Sequence, residues 1–168
     1  MLSTKMENAL NEQIKNEFSS SFVYLAMSAY CDEQNLAGFA HWLRMQSQEE
    51  YGHAMKIFNY IQDREGHVVL KAIPQPESQY GSLVEVFKET LEHEKTISQM
   101  INELYALAVE EKDYPTQVML QWFINEQVEE EKTASDILAQ VKMIGDNTSA
   151  LIVLDQQLAS RSPESEDK

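Results

Sequence analysis

Polar side chains interrupt rows of the sequence that are otherwise apolar. Read at seven-residue spacing, Leu120, Gln127, Ala134 and Val141 form one row, and Phe123, Glu130, Ile137 and Ile144 form its companion. Gln127 and Glu130 therefore fall where core residues belong. Upstream, Glu50 and His53 interrupt the rows Leu36, Leu43, Ile57 and Phe39, Gln46, Tyr60. Glu94 interrupts Phe87, Ile101, Ala108, and Glu17 interrupts Leu10, Tyr24. A buried, unpaired carboxylate costs several kcal/mol. Four in one layer must either retain protons or share divalent cations. Four carboxylates and one imidazole suffice for two cations with one carboxylate bridging. Glu50 and His53, at i and i+3, offer two of the ligands on one helix face. An oxygen-rich donor set with a single nitrogen suits iron or manganese better than zinc alone.

These residues can meet only if their elements bring them to one height. Five glycines and four prolines are confined to few places, and the stretches between them predict four long helices over 3–30, 36–64, 82–111 and 115–144. A short apolar segment follows over 150–158. Each long helix would run about 40 Å. The turns at 31–35 and 112–116 are too short to cross a bundle, so they join antiparallel neighbours. The link over 66–81 is different. Its length reaches about 50 Å when extended, enough to let the second and third helices run parallel. Its run Val68, Val69, Leu70 is expected to strap across an apolar groove. Glu17 and Glu50 then lie at similar distances from the first turn, and Glu94 and Glu130 at roughly similar distances from the second. For any one acid a register shift to solvent is an alternative; four helices shifting at matched height is a much poorer one. Residues 1–160 are expected to form one domain, and 161–168 a solvated, charged tail.

Composition narrows the function classes. The chain has 168 residues, 43% hydrophobic and 24% charged, with 28 acids against 13 bases and a net charge of −15. That balance disfavours nucleic acid and anionic membranes and favours cations. No apolar stretch is long enough for a membrane span. The opening MLSTKMENAL lacks the apolar core of a signal peptide. The single Cys31 forbids an internal disulfide and fits a reducing cytoplasm.

Further residues border the layer. Tyr24 lies one heptad from Glu17, with a redox, hydrogen-bonding or packing role. His93 adjoins Glu94. Glu126 and Glu129 share one side of the fourth helix, and Glu49 adjoins Glu50. These three acids form either a third cation site on the flank or a solvated acidic face. Glu110, Glu111 and Asp113 near the second turn are candidates for an acidic path toward the layer.

The segments LNEQIKNEF, QSQEEYGHA, TLEHEK and LQWFINEQVEEEK together resemble the bacterial non-haem ferritins, and the resemblance covers nearly the whole chain. It implies an all-α, ferritin-like four-helix bundle with a long crossover and a short fifth C-terminal helix. It further implies a hollow cage of twenty-four subunits that stores ferric mineral, and a ferroxidase centre with two irons in each subunit. Glu17, Glu50 and His53 would hold the first iron, Glu50 bridging. Glu94 and Glu130 would complete the second, with Gln127 beside it as a weak ligand or hydrogen-bonding group. The third site would fall on Glu49, Glu126 and Glu129, sharing Glu130. Tyr24 matches a tyrosine near the centre. Ferrous ions and dioxygen or hydrogen peroxide would be the reactants. Haem is not expected: the haem-binding relatives carry a second Glu-x-x-His and a ligating methionine, where this chain has Gln127 and Gly52.

Two other classes compete. One is a carboxylate-bridged di-iron oxidase or peroxide scavenger without a storage role. The other is a non-catalytic interaction bundle with exposed acids. A cage of roughly two dozen chains separates the first reading from both.

Overall fold

The computed structural model describes residues 1–162. Of the expected tail at 161–168, residues 163–168 lie outside that range. Five helices follow in order: α1 (Thr4–Glu33), α2 (Ala37–Asp63), α3 (Leu83–Glu110), α4 (Tyr114–Ile144) and α5 (Thr148–Leu158). The architecture is all-α, and none of the described helices is long and apolar enough to cross a membrane.

Each helix starts where a side chain can accept its first free amides. Ser3, Ser82, Asp113 and Asn147 cap α1, α3, α4 and α5 through Met6, Glu85, Thr116 and Ala150 N–H groups. Pro115 occupies the first turn of α4, where no amide hydrogen is needed. At the far end of α4, Gly145 turns the chain at φ 52°. α2 is the exception, because its N-cap is Leu36, which has no acceptor. Asp155, from α5, serves instead: its Oδ1 accepts from the Gly38 and Phe39 amides at 2.9 and 3.0 Å. This approach requires glycine, since a Cβ on Gly38 would lie 1.7 Å from the Asp155 carbonyl oxygen. Asp155→Ala is accordingly expected to cost about 1–2 kcal/mol of stability, read by denaturant unfolding, with the loss concentrated in the docking of α5.

Cross-helix hydrogen bonds establish the topology. Ser21 meets Ser47 and Ser28 meets Ala40, so α1 and α2 are antiparallel. Lys5 meets Glu110, Ser20 meets His93 and Thr90 meets Met27, so α1 and α3 are antiparallel as well. α4 opposes α2 through Gln46–Glu130 and Tyr60–Thr116. It opposes α3 through Glu94–Gln127 and Ala108–Gln117. α2 and α3 thus run parallel, and the intervening segment spans the bundle lengthwise.

That segment is fastened differently from expectation. Val68 packs against the core, but Val69 and Leu70 are 45% and 65% exposed. Hydrogen bonds do the strapping: Asn11 donates to the His67 carbonyl at 2.9 Å and accepts from the Val69 amide at 2.8 Å. Lys71 adds an ion pair to Glu12. Only Val68 turns toward the bundle, so the segment is held by polar contacts to α1 and not by a buried apolar run.

The core has two apolar clusters. One contains Tyr24, Phe39, Trp42, Leu43, Phe87, Ile137 and Leu154. The other contains Leu10, Ile14, Ile57, Ile101, Leu120 and Phe123. Along every long helix the interrupting polar residues fall between the two. The matched height expected from the chain distances is therefore the boundary layer between two apolar halves.

Candidate metal centre

Glu17, Tyr24, Glu50, His53, Glu94, Gln127 and Glu130 are all at most 7% exposed. Glu17, Glu50 and His53 bring one ligand atom each to within 4.8 Å of one another, and His53, Glu126 and Glu130 do the same. His53 is common to both groups. Its Nδ1 lies 3.5 Å from Glu50 Oε2, and its ring stands edge-on to Trp122 and Phe123 at 5.3 and 5.9 Å. The imidazole is thereby held by aromatic walls rather than by a rotatable polar neighbour.

Glu17, Glu94 and Glu130 each have an orienting donor. Gln13 donates to Glu17 Oε1 at 2.8 Å. Gln46 donates to Glu130 Oε2 at 2.7 Å. Glu94 accepts from the Tyr24 hydroxyl on Oε1 and from Gln127 on Oε2 at 3.0 Å. Gln127 also reaches the Glu94 carbonyl at 3.2 Å and Ser98 Oγ at 3.3 Å. In this arrangement its amide nitrogen orients Glu94. His93 accepts or donates at Ser20 Oγ, 2.7 Å away, and stands edge-on to the Tyr24 ring at 5.8 Å. It supports the tyrosine, not the carboxylates directly.

The layer is short of positive charge. Burial, then the Glu50 carboxylate, raises the Glu17 pKa well above its ordinary range. Burial, then Glu94, does the same to Glu50 and Glu130. Burial and Glu94 also push the Tyr24 hydroxyl upward, so it remains a proton donor. Burial lowers the His93 pKa, which keeps that ring neutral. Two carboxylate oxygens, Glu17 Oε2 and Glu50 Oε1, are buried with no hydrogen-bond partner among the described residues. Such orphaned acceptors are the sites a cation would complete. The donor set of hard oxygens and one imidazole fits a pair of divalent first-row ions.

The flank acids are arranged otherwise. Glu49 forms an ion pair with Arg161, Glu126 joins His53 and Glu130, and Glu129 is exposed. The acids near the second turn are engaged within the chain. Asp113 caps α4 and pairs with Arg64 at 3.0 Å, Glu110 pairs with Lys5 at 3.2 Å, and Glu111 accepts from Ser3 at 2.5 Å. They do not stand as an unpaired acidic path.

A ferritin-like domain model matches residues 7–144. A bacterial non-heme ferritin of Staphylococcus epidermidis is 40% identical over 162 residues, covering 96% of this chain and 98% of that protein. This chain belongs to the bacterial non-haem ferritin family. A family member from Staphylococcus aureus is 37% identical over the same length. Among solved structures, an open pore ferritin from the hyperthermophilic archaeon Archaeoglobus fulgidus superposes with a TM-score of 0.95 at 43% identity, over 96% of this chain and 98% of that one. A humanized archaeal ferritin gives 0.97 at 41% identity, over 98% and 100%. The buried acidic cluster of the present chain is thus a candidate di-iron site within a ferritin-family bundle.

Sequence reasoning had not singled out Gln13, Gln46, Ser98 or Arg161. Gln46 carried a signal, since it too occupies an apolar row. Gln13 stands one turn from Glu17. Arg161 carried none, being one charge in a polar C-terminal stretch.

Proposed function

We propose that this chain is an iron-storage ferroxidase of the cytoplasm. Its buried layer oxidises ferrous ions at Glu17, Glu50, His53, Glu94 and Glu130, with Gln127 and Tyr24 orienting Glu94. The observation that carries this reading is the cation-deficient carboxylate layer itself: three carboxyls raised by burial and mutual repulsion, two of them with orphaned oxygens. Two ferrous ions entering the layer replace protons. Each gives up one electron, and dioxygen takes the pair with two protons to become hydrogen peroxide. When hydrogen peroxide is the oxidant it takes the pair and two protons to become water. Carboxylates favour the higher-charged product because their charge offsets the added positive charge. A third cation site on Glu49, Glu126 and Glu129, sharing Glu130, completes the proposed set.

Storage needs an enclosure, and the proposed enclosure is a cage of twenty-four copies. In support, Phe22 and Leu25 on α1, Tyr51 on α2 and the strap residues Val69 and Leu70 are exposed. α5 seats Leu154 in the core but exposes Ile152 and Val153. Exposed apolar side chains of this kind are surface that contacts between copies would bury.

The test is anaerobic loading of the metal-free protein with two ferrous ions per chain, followed by air. Rapid ferric absorbance in a particle of about two dozen chains supports the reading. Slow oxidation in a small oligomer refutes it and leaves a di-iron enzyme without storage, or an adaptor. Tyr24→Phe removes one donor from Glu94 while keeping the ring. It is expected to slow oxidation by less than about tenfold and to cost about 1 kcal/mol, measured by stopped-flow absorbance and thermal unfolding.

A further inference from the structure

The C-terminal segment beyond α5 returns to the metal layer. Arg161 forms an ion pair with Glu49 through Nη2. Its Nη1 donates to Gln46 Oε1 at 2.8 Å and to the Trp42 carbonyl at 3.4 Å. The guanidinium carbon lies 4.5 Å above the Trp42 ring. The Arg161 carbonyl accepts from His41 Nε2 at 2.8 Å, so backbone and side chain are both fastened. The ion-pair side chains are 19% and 14% exposed for Arg161 and Glu49, which shields the pair from much of the screening that weakens surface pairs.

This placement has two consequences. A guanidinium only donates, so it fixes the Gln46 amide with its oxygen toward Arg161 and its nitrogen toward Glu130, the bond seen at 2.7 Å. It also sets a permanent positive charge beside the Glu49 carboxylate. The flank then holds its own counter-cation.

We propose that Arg161 is a positioning residue that occupies the Glu49 flank as an internal cation, competing with a third metal ion for that site. The inference rests on the ferroxidase reading of the layer. A third ion reaching Glu49 must first displace the guanidinium, whereas the two ions of the central layer need not. Arg161 thereby makes the third position weak and ties its opening to release of the guanidinium from Glu49.

The experiment is calorimetric titration of the full-length, metal-free protein with ferrous iron under argon, for wild type, Arg161→Ala and Arg161→Lys. In Arg161→Ala the third ion is expected to bind about tenfold more tightly, with no such gain in the first two constants. Arg161→Lys, which keeps the charge, is expected to restore the weak third constant. An Arg161→Ala third constant equal to the wild-type value overturns the inference and leaves the ferroxidase reading intact. So does a shift of all three constants together with a lowered melting temperature, the mark of a purely structural contact. A wild-type protein that binds no ferrous iron overturns both.

Discussion

Glu50→Ala is expected to slow ferrous oxidation by about a hundredfold or more, with the assembled particle and the fold retained. Glu50 is the acid most central to the layer. It shares the ligand group of Glu17 and His53, lies 3.5 Å from His53 Nδ1, and feels the charges of Glu94 and Glu49. Its Oε1 has no partner among the described residues. A carboxylate placed there would hold a cation together with Glu17 and His53, so its loss would remove a ligand from the centre of the layer. The measurement is stopped-flow ferric absorbance at two ferrous ions per chain, with size-exclusion mass as the control for assembly. An oxidation rate within a few fold of wild type, in an intact particle, would refute the placement of the centre.

Stability of the metal-free protein is expected to fall as pH rises, and the metal-loaded protein is expected to do the reverse. Glu17, Glu50 and Glu130 all have folded-state pKa values well above the ordinary 4.5. At pH values between the ordinary and the raised values the folded chain binds more protons than the unfolded one. Stability therefore decreases with rising pH. The contribution is fully present below about pH 4.5 and is lost as pH climbs through the raised values. Asp113 works oppositely: hydrogen bonds from Thr116 and Arg64 outweigh its burial and lower its pKa. Its contribution disappears at the acid end, which bounds the window from below. A bound divalent ion takes the place of the protons, so metal-linked stability grows as pH rises. Scanning calorimetry from about pH 5 to 8, with and without saturating zinc as a redox-inert ion, should give melting curves that converge at low pH and diverge at high pH. Glu50→Gln should raise the melting temperature of the metal-free chain at pH 8 while reducing the zinc effect. Parallel pH profiles for the two forms would show that the layer does not bind the ion.

The trade between function and stability follows from the same groups. The layer separates two apolar clusters that would otherwise be one core. Apolar residues at these positions would join them, at the loss of every ligand. Buried acids are retained where a cation completes them.

Much of this was legible in the order of residues. Helix periodicity is local, so a carboxylate in an apolar row is visible before any contact is known. Glu17, Glu50, His53, Glu94, Gln127 and Glu130 all emerged in this way, and all are buried. The short turns likewise dictated antiparallel neighbours, and the long link allowed parallel α2 and α3. The expected starts at 3, 36, 82 and 115 lie within one residue of the observed ones, because the signals that begin a helix act within one turn. α1 runs through Glu33, beyond the expected stop, as Asn35 takes the left-handed turn at φ 61°. Asparagine tolerates that conformation better than the Glu33 and Gln34 before it, so the later stop has a local cause.

What tertiary structure alone decided are the contacts with no sequence period behind them. Asp155 caps a helix that begins more than a hundred residues earlier, because α2 lacks a cap of its own. Val69 and Leu70 face outward although their composition suggests burial, because the strap is fastened to α1 through Asn11 and Glu12 and not through an apolar groove. Arg161 pairs with Glu49 across the turn into α5 and its packing on α2, a direction no local rule supplies. The sequence by itself determined the helices and the polar layer, since both depend on side-chain spacing along one element. The pairing of that layer with its orienting donors and its internal cation depended on where separate elements came to rest against one another.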